Sequence, residues 1–118
     1  MTIHRGDVVL VDAPFITRPG SKVRPMLVVQ DDHNNQRMAN TILATITSNV
    51  SRSGEPTQVI IDLSTPEGRQ SGLLRTSIVS CENILTVRQA HVQRKIGSLP
   101  DALMQQVNIA LKASLGLP

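Results

Sequence analysis

Aromatic side chains are almost absent from this chain of 118 residues: Phe15 stands alone, with no tryptophan and no tyrosine. RNA-recognition modules and single-strand-binding folds stack bases on several aromatic rings, and one ring cannot build that platform. If the chain binds RNA, bases must stack on Phe15, His33 or arginine planes, or be read by hydrogen bonds. Cysteine is equally scarce. Cys81 is the single one, so no internal disulfide can form, and a reducing cytoplasm is the expected setting. His4, His33 and His91 are scattered and show no metal-ligand spacing, so neither a metal nor another cofactor is expected. No apolar run approaches the ~20 residues that span a bilayer, and the N-terminus lacks the hydrophobic stretch of a signal peptide. No membrane association is expected. There is no Gly-rich phosphate loop, and no run of lysines and arginines of the kind that marks duplex-DNA patches.

What the chain does have is arginine. Its net charge of +3 is mild, but nine of its twelve cations are arginine. Arg5, Arg18, Arg24, Arg37, Arg52, Arg69 and Arg75 fall in predicted loops or at strand ends. The planar guanidinium fork binds phosphate with fixed geometry, where lysine acts as a point charge. The pattern favours a nucleic-acid partner over a merely solvated surface. The length suits one domain, residues 1–118, with a core of its own.

Lys22-Val23-Arg24-Pro25-Met26-Leu27-Val28-Val29-Gln30 is the most telling segment. A short valine-rich apolar run between polar residues reads as a buried strand, and proline is tolerated at its first residue. Arg24 therefore stands at the mouth of a core strand on a stiff backbone. The other predicted strands cover Asp7 to Val11, Thr41 to Thr47, Thr57 to Leu63 and part of Ser77 to Cys81, with short strands near 84–87 and 92–96. Residues 12–22, 48–56 and 64–71 read as long loops, and 31–40 as a polar stretch with a short helical turn. Long ordered loops tend to be functional. The tail reads as a helix capped by Ser98, with Pro100 in its first turn. Leu103, Val107, Ala110, Leu111 and Leu115 fall on one face of it. Strands followed by a helix predict an α+β domain: a curled antiparallel sheet or small SH3-like barrel with a C-terminal helix.

Three motifs in this order resemble a known family. Arg5-Gly6-Asp7-Val8-Val9-Leu10-Val11 is similar to its opening strand, Lys22 to Val29 to its "RP-V-L-V-V" strand, and Ile46-Thr47-Ser48 to its "P-I-T" strand end. The chain thus resembles the MazF/PemK (Kid) toxins of toxin–antitoxin pairs over about residues 3 to 115. The resemblance implies a barrel-like homodimer, cleavage of single-stranded RNA, and a cognate antitoxin that lays an acidic, initially disordered tail over the basic site. It also implies metal-independent cleavage, in which the RNA 2′-hydroxyl attacks the adjacent phosphorus and leaves 2′,3′-cyclic phosphate and 5′-hydroxyl ends.

On the resemblance, Arg24 matches the catalytic arginine and Thr47 the catalytic threonine. An arginine side chain is always protonated in practice, so Arg24 suits phosphate clamping rather than proton abstraction. The competing reading is an ion pair with Asp7, Asp31 or a neighbouring carboxylate. Glu82 matches an acid that takes part in proton transfer in some members. Those members carry an arginine two residues earlier, where this chain has Ser80; either Arg24 does more, or Arg75, in the same segment, supplies the second charge. Ser48 is a lesser candidate, expected on the opposite side of its strand. Phe15, Arg18, His33, Asn49, Ser51, Arg52, Arg69 and Gln70 are loop candidates for RNA contact. Two alternatives stay open: a non-catalytic binding toxin on the same scaffold, of the gyrase-poison type, and a degenerate member that binds RNA without cutting it.

Overall fold

The computed structural model describes residues 2–12 and 23–118. Its strands are β1 (Asp7–Val11), β2 (Arg24–Val28), β3 (Asn40–Thr47), β4 (Gln58–Ile61), β5 (Ser77–Arg88) and β6 (Val92–Ser98). The helices are α1 (Asp32–Arg37), α2 (Pro66–Arg69) and α3 (Asp101–Leu115). All six strands join one antiparallel sheet in the order β4-β5-β3-β2-β1-β6.

Alternation along the strands gives the sheet two apolar faces. On one, α3 lays Leu103, Met104, Val107 and Ala110 onto Val8, Leu27, Val59, Ile61 and Val79. The other has no helix to cover it. It buries Val9, Val11, Met26, Val28 and Leu43 by curling, so that Val87 of β5 and Val92 of β6 join one cluster although their strands are not neighbours. Full burial of such a side chain contributes about 1.5–3 kcal/mol, enough to make the curl the stable shape. The sheet stays open, because β4 and β6 each pair on one side only. The fold is the expected curled antiparallel sheet with a C-terminal helix.

Several elements differ in detail from their sequence expectation. The predicted short strands after residue 77 are parts of one twelve-residue strand, β5. Its pairing with β3 jumps from Thr45–Ser80 to Ala44–Ile84, so Cys81, Glu82 and Asn83 form a bulge. A bulge interrupts alternation without ending a strand, and in sequence it imitates a break. Ser98 does not cap α3. It is still in β6, paired with Asp7, and the helix starts after Pro100 without a side-chain cap. Leu115 is 55% exposed rather than buried. The stretch 64–71 holds α2, whose cap Thr65 Oγ1 accepts from the Gly68 N–H at 3.0 Å.

The segment after α2 is pressed against β6. A Cβ at Gly72, whose φ is +73°, would lie 2.0 Å from the Ile96 carbonyl oxygen, and one at Gly97 2.4 Å from that of Gln70. Only glycine allows two backbones to approach so closely. The contact is tied by the Ser98 N–H donating to the Gln70 carbonyl at 3.0 Å. It brings Leu73, Leu74 and Arg75 to the end of the sheet where β2 begins and β3 stops.

Candidate active site

At that end lies a cleft of about 390 Å³ lined by Leu10, Arg24, Pro25, Ile46, Thr47, Ser48, Gly72, Leu73, Leu74, Arg75, Ser77, Arg94 and Ile96. Register explains why Arg24 and Thr47 meet there. Met26 of β2 pairs with Thr45 of β3. Two residues further on in each strand direction are Arg24 and Thr47, which therefore stand opposite one another on the same side of the sheet. Both are exposed, Arg24 as the first residue of β2 and Thr47 as the last of β3. Leu10, Pro25 and Ile46 come from the opposite side. The cleft is thus a rim site: apolar side chains make its floor, and the polar strand ends reach it from the edge.

Thr47 Oγ1 accepts the Asn49 N–H at 3.1 Å, which fixes its rotamer and leaves its hydroxyl proton available to donate. Ser48 was expected on the other side of a continuing strand. β3 stops at Thr47, and Ser48 lines the same cleft. Arg75 precedes β5; its carbonyl accepts the buried Ser77 hydroxyl at 2.9 Å. Arg94, on β6, also lines the cleft, although sequence reasoning gave it no role.

The charges of this cleft are uncompensated. Among the described residues, Arg24, Arg75 and Arg94 form no salt bridge, and residues 13–22 contain no aspartate or glutamate. The carboxylates considered as partners of Arg24 are engaged elsewhere. Asp7 is buried and takes Lys95 Nζ at 3.1 Å, and Asp31 caps α1 through the His33 N–H at 3.0 Å. Three cations around a partly apolar cleft create a positive field that attracts an anionic backbone.

The remaining candidates lie elsewhere. Glu82 is outside the cleft. In the β5 bulge its Oε1 accepts from Arg52, from Thr57 Oγ1 at 3.0 Å and from Gln58 Nε2 at 2.7 Å. Arg52 also grips Glu55 with two bonds, 2.8 and 3.0 Å. These bonds raise the Arg52 pKa and hold the Glu55 carboxyl below its ordinary range. This corner is two rows from Thr47 on the same sheet, since Gln58 and Thr45 both pair with Ser80. Asn49 and Ser51 shape the loop before it through a 3.1 Å bond from the Ser51 N–H to Asn49 Oδ1. Arg69 binds the Leu63 and Ser64 carbonyls at 3.3 and 3.2 Å, and Gln70 ends α2. His33 is exposed in the first turn of α1. Phe15 and Arg18 lie outside the described residues. Cys81 is buried, and burial pushes its thiol up to about 11, so it is a core side chain and not a nucleophile. Among the described residues no three His, Cys, Asp or Glu side chains gather at one point, and no helix is long and apolar enough to cross a membrane.

Comparison with known proteins agrees with this architecture. Residues 4–115 match the family described as PemK-like, MazF-like toxin of type II toxin–antitoxin system. Endoribonuclease EndoA of Bacillus subtilis (strain 168) is 35% identical over 118 residues, covering 99% of this chain and 97% of the relative. A mycobacterial endoribonuclease solved in complex with its cognate antitoxin superposes with a TM-score of 0.78 at 28% identity, covering 98% of this chain and 97% of the other. A second mycobacterial endoribonuclease gives 0.77 at 26% identity, over 100% and 95% of the two chains. In sequence and in fold, over nearly its whole length, this chain belongs to the PemK-like, MazF-like toxins of type II toxin–antitoxin systems.

Proposed function

We propose that the chain is a sequence-selective, metal-independent endoribonuclease toxin that cuts single-stranded RNA. In this reading the 2′-oxygen attacks the adjacent phosphorus and the 5′-oxygen leaves. The 2′-hydroxyl loses a proton, the leaving oxygen gains one, and a 2′,3′-cyclic phosphate remains. Arg24 clamps the phosphoryl oxygens and stabilises the charge that grows on them. Thr47 orients the 2′-hydroxyl or a phosphoryl oxygen through its own. Arg75 supplies a second charge, and Ser48 borders the scissile group. The observation that carries this reading is the meeting of an unpaired arginine and a threonine hydroxyl on one cationic cleft.

Glu82 acts in this proposal through Arg52, which it holds on the loop beside the cleft. The protein works as a homodimer, and its partner is a cognate antitoxin whose acidic segment covers the cationic rim. The mycobacterial endoribonuclease solved in complex with its cognate antitoxin supports the second of these statements.

The test is incubation of the purified protein with a long single-stranded RNA in EDTA, followed by mapping of the ends. Discrete cuts bearing cyclic phosphate and 5′-hydroxyl ends are expected. A substrate with a 2′-deoxy sugar at the cut position should bind and stay intact. Intact RNA throughout, or cleavage that is lost in chelator and restored by magnesium, overturns the mechanism.

A further inference from the structure

Arg94 was invisible as a functional residue in the sequence, because it lies inside a strand. Its place becomes clear from two ladders. Arg94 pairs with Leu10 between β6 and β1, and Leu10 pairs with Pro25 between β1 and β2. Arg94, Leu10 and Pro25 thus form one row across three strands, on one side of the sheet. Two strand spacings put the Cα atoms at the ends of that row about 10 Å apart, and Arg24 directly precedes Pro25. Alternation turns Arg24 to the other side of the sheet from that row, so Arg24 comes to the cleft from the rim and Arg94 from the side of Leu10 and Pro25, and both line it.

The neighbouring cation makes an instructive contrast. Lys95, one residue on, is bonded to buried Asp7 at 3.1 Å, so it is committed to the fold. Arg94 is exposed, lines the cleft and has no salt-bridge partner among the described residues. The ladder also slips between Leu10–Arg94 and Val11–Val92, which leaves Gln93 as an extra residue. A bulge at a sheet edge re-aims the side chains beside it.

We infer that Arg94 binds a phosphate flanking the scissile one, so that the RNA backbone crosses the strands along the row from Pro25 to Arg94. The ribose between the two phosphates rests on Leu10 and Pro25. The contact serves binding rather than bond breaking. This inference rests on the RNA-cleaving reading of the cleft and adds a subsite to it.

The experiment uses the full-length protein and an uncleavable single-stranded RNA carrying one 2′-deoxy sugar at the mapped cut position. Affinity is measured against salt for wild type, Arg94→Gln, Arg94→Lys and Arg88→Gln. Arg88 is exposed and lies outside the cleft. Arg94→Gln should bind about tenfold more weakly, as expected for one charge-assisted contact. Its slope of log affinity on log salt should be shallower by about 0.7, the value for one phosphate of a single strand. Arg94→Lys should keep the slope, and Arg88→Gln should keep both slope and affinity. On cleavable RNA, Arg94→Gln should raise KM and leave kcat within about twofold of wild type, the mark of lost uniform binding.

An Arg94→Gln variant with wild-type slope and KM overturns the inference, even where wild type cuts RNA and the cleavage reading stands. So does a lowered kcat with an unchanged slope. If wild type cuts no RNA, the same probe with 2′-deoxy at an arbitrary position still reports binding. A shallower slope for Arg94→Gln there upholds the phosphate contact while the cleavage reading fails.

Discussion

Two arginine-bearing regions sit side by side on one sheet, and they differ in a single respect. At the cleft, Arg24, Arg75 and Arg94 hold no carboxylate among the described residues. Two rows away, Arg52 is gripped by Glu55 and Glu82, and Glu82 takes further bonds from Thr57 and Gln58. The same side chain does opposite jobs in the two places. A guanidinium whose Nε and Nη2 are held by carboxylates, as in Arg52, fixes a loop; one without a carboxylate offers its fork to a phosphate. Counting arginines in the sequence cannot separate these jobs. Pairing can.

The comparison breaks most decisively at Arg24. Arg24→Ala should lower cleavage by about a hundredfold or more, comparable to deleting one oxyanion donor, with an unchanged melting temperature because the side chain is exposed. Arg24→Lys should fail badly too, since one ammonium cannot make a bidentate contact. Thr47→Val keeps shape and strand preference and removes only the hydroxyl. Combined with Arg24→Ala it should cost less than the sum, because both groups serve one phosphate. Wild-type cleavage by Arg24→Ala, measured on a fluorescent RNA, would mean that the unpaired region is not the site.

Glu82 sharpens the contrast from the other side. A proton-transfer group is worth about a hundredfold or more, so a Glu82→Gln variant that retains activity within tenfold and keeps the wild-type pH profile supports the anchoring role. A larger loss with a displaced profile would return Glu82 to proton transfer. Replacing Glu55 and Glu82 together by glutamine converts Arg52 to an unpaired cation. RNA binding should then tighten, and its salt slope should steepen by about 0.7.

The smallest effect is expected at Asp32, a carboxylate that is engaged by the fold outside both regions. Its carboxyl accepts the Arg5 N–H, and that bond holds its pKa below the ordinary value. The charged form is therefore favoured in the folded state. The stabilisation is complete above about pH 4, the ordinary range of an aspartate, and fades as pH falls through the lower folded value. Asp32→Asn should cost under about 1 kcal/mol of stability at pH 7 for so exposed a group, seen as a slightly lower melting temperature. The difference from wild type should vanish in acid. A difference that persists there would assign the effect to packing.

Much of this arrangement was legible in the sequence. The valine-rich run behind Arg24-Pro25 fixed a strand start, and the alternating run ending in Thr47 fixed a strand end. Together with the three-motif resemblance they named the pair that the register brings together. The helix face was read correctly at Leu103, Val107 and Ala110. What was missed depends on contacts distant in the chain. Ser98 looks like a cap until its pairing with Asp7 keeps it in β6. The bulge at residues 81–83 looks like a gap until β3 is seen to pair on both sides of it. Arg94 acquires meaning only when β6 lies beside β1, 84 positions from Leu10 in the numbering. Local pattern carries no trace of such a partner.

The close approach of Gly72 and Gly97 has a consequence for how this cleft can change over generations. The wall made by Leu73, Leu74 and Arg75 is held to β6 by main-chain contacts, and Leu74 is 95% exposed. Leu73 packs against the core, but the exposed side chains of Leu74 and Arg75 can be exchanged without loosening that attachment. The two glycines tolerate almost nothing in their place, while these two neighbours of Gly72 are little constrained by folding. Such a division lets the lining of the cleft change while the frame that holds it stays put.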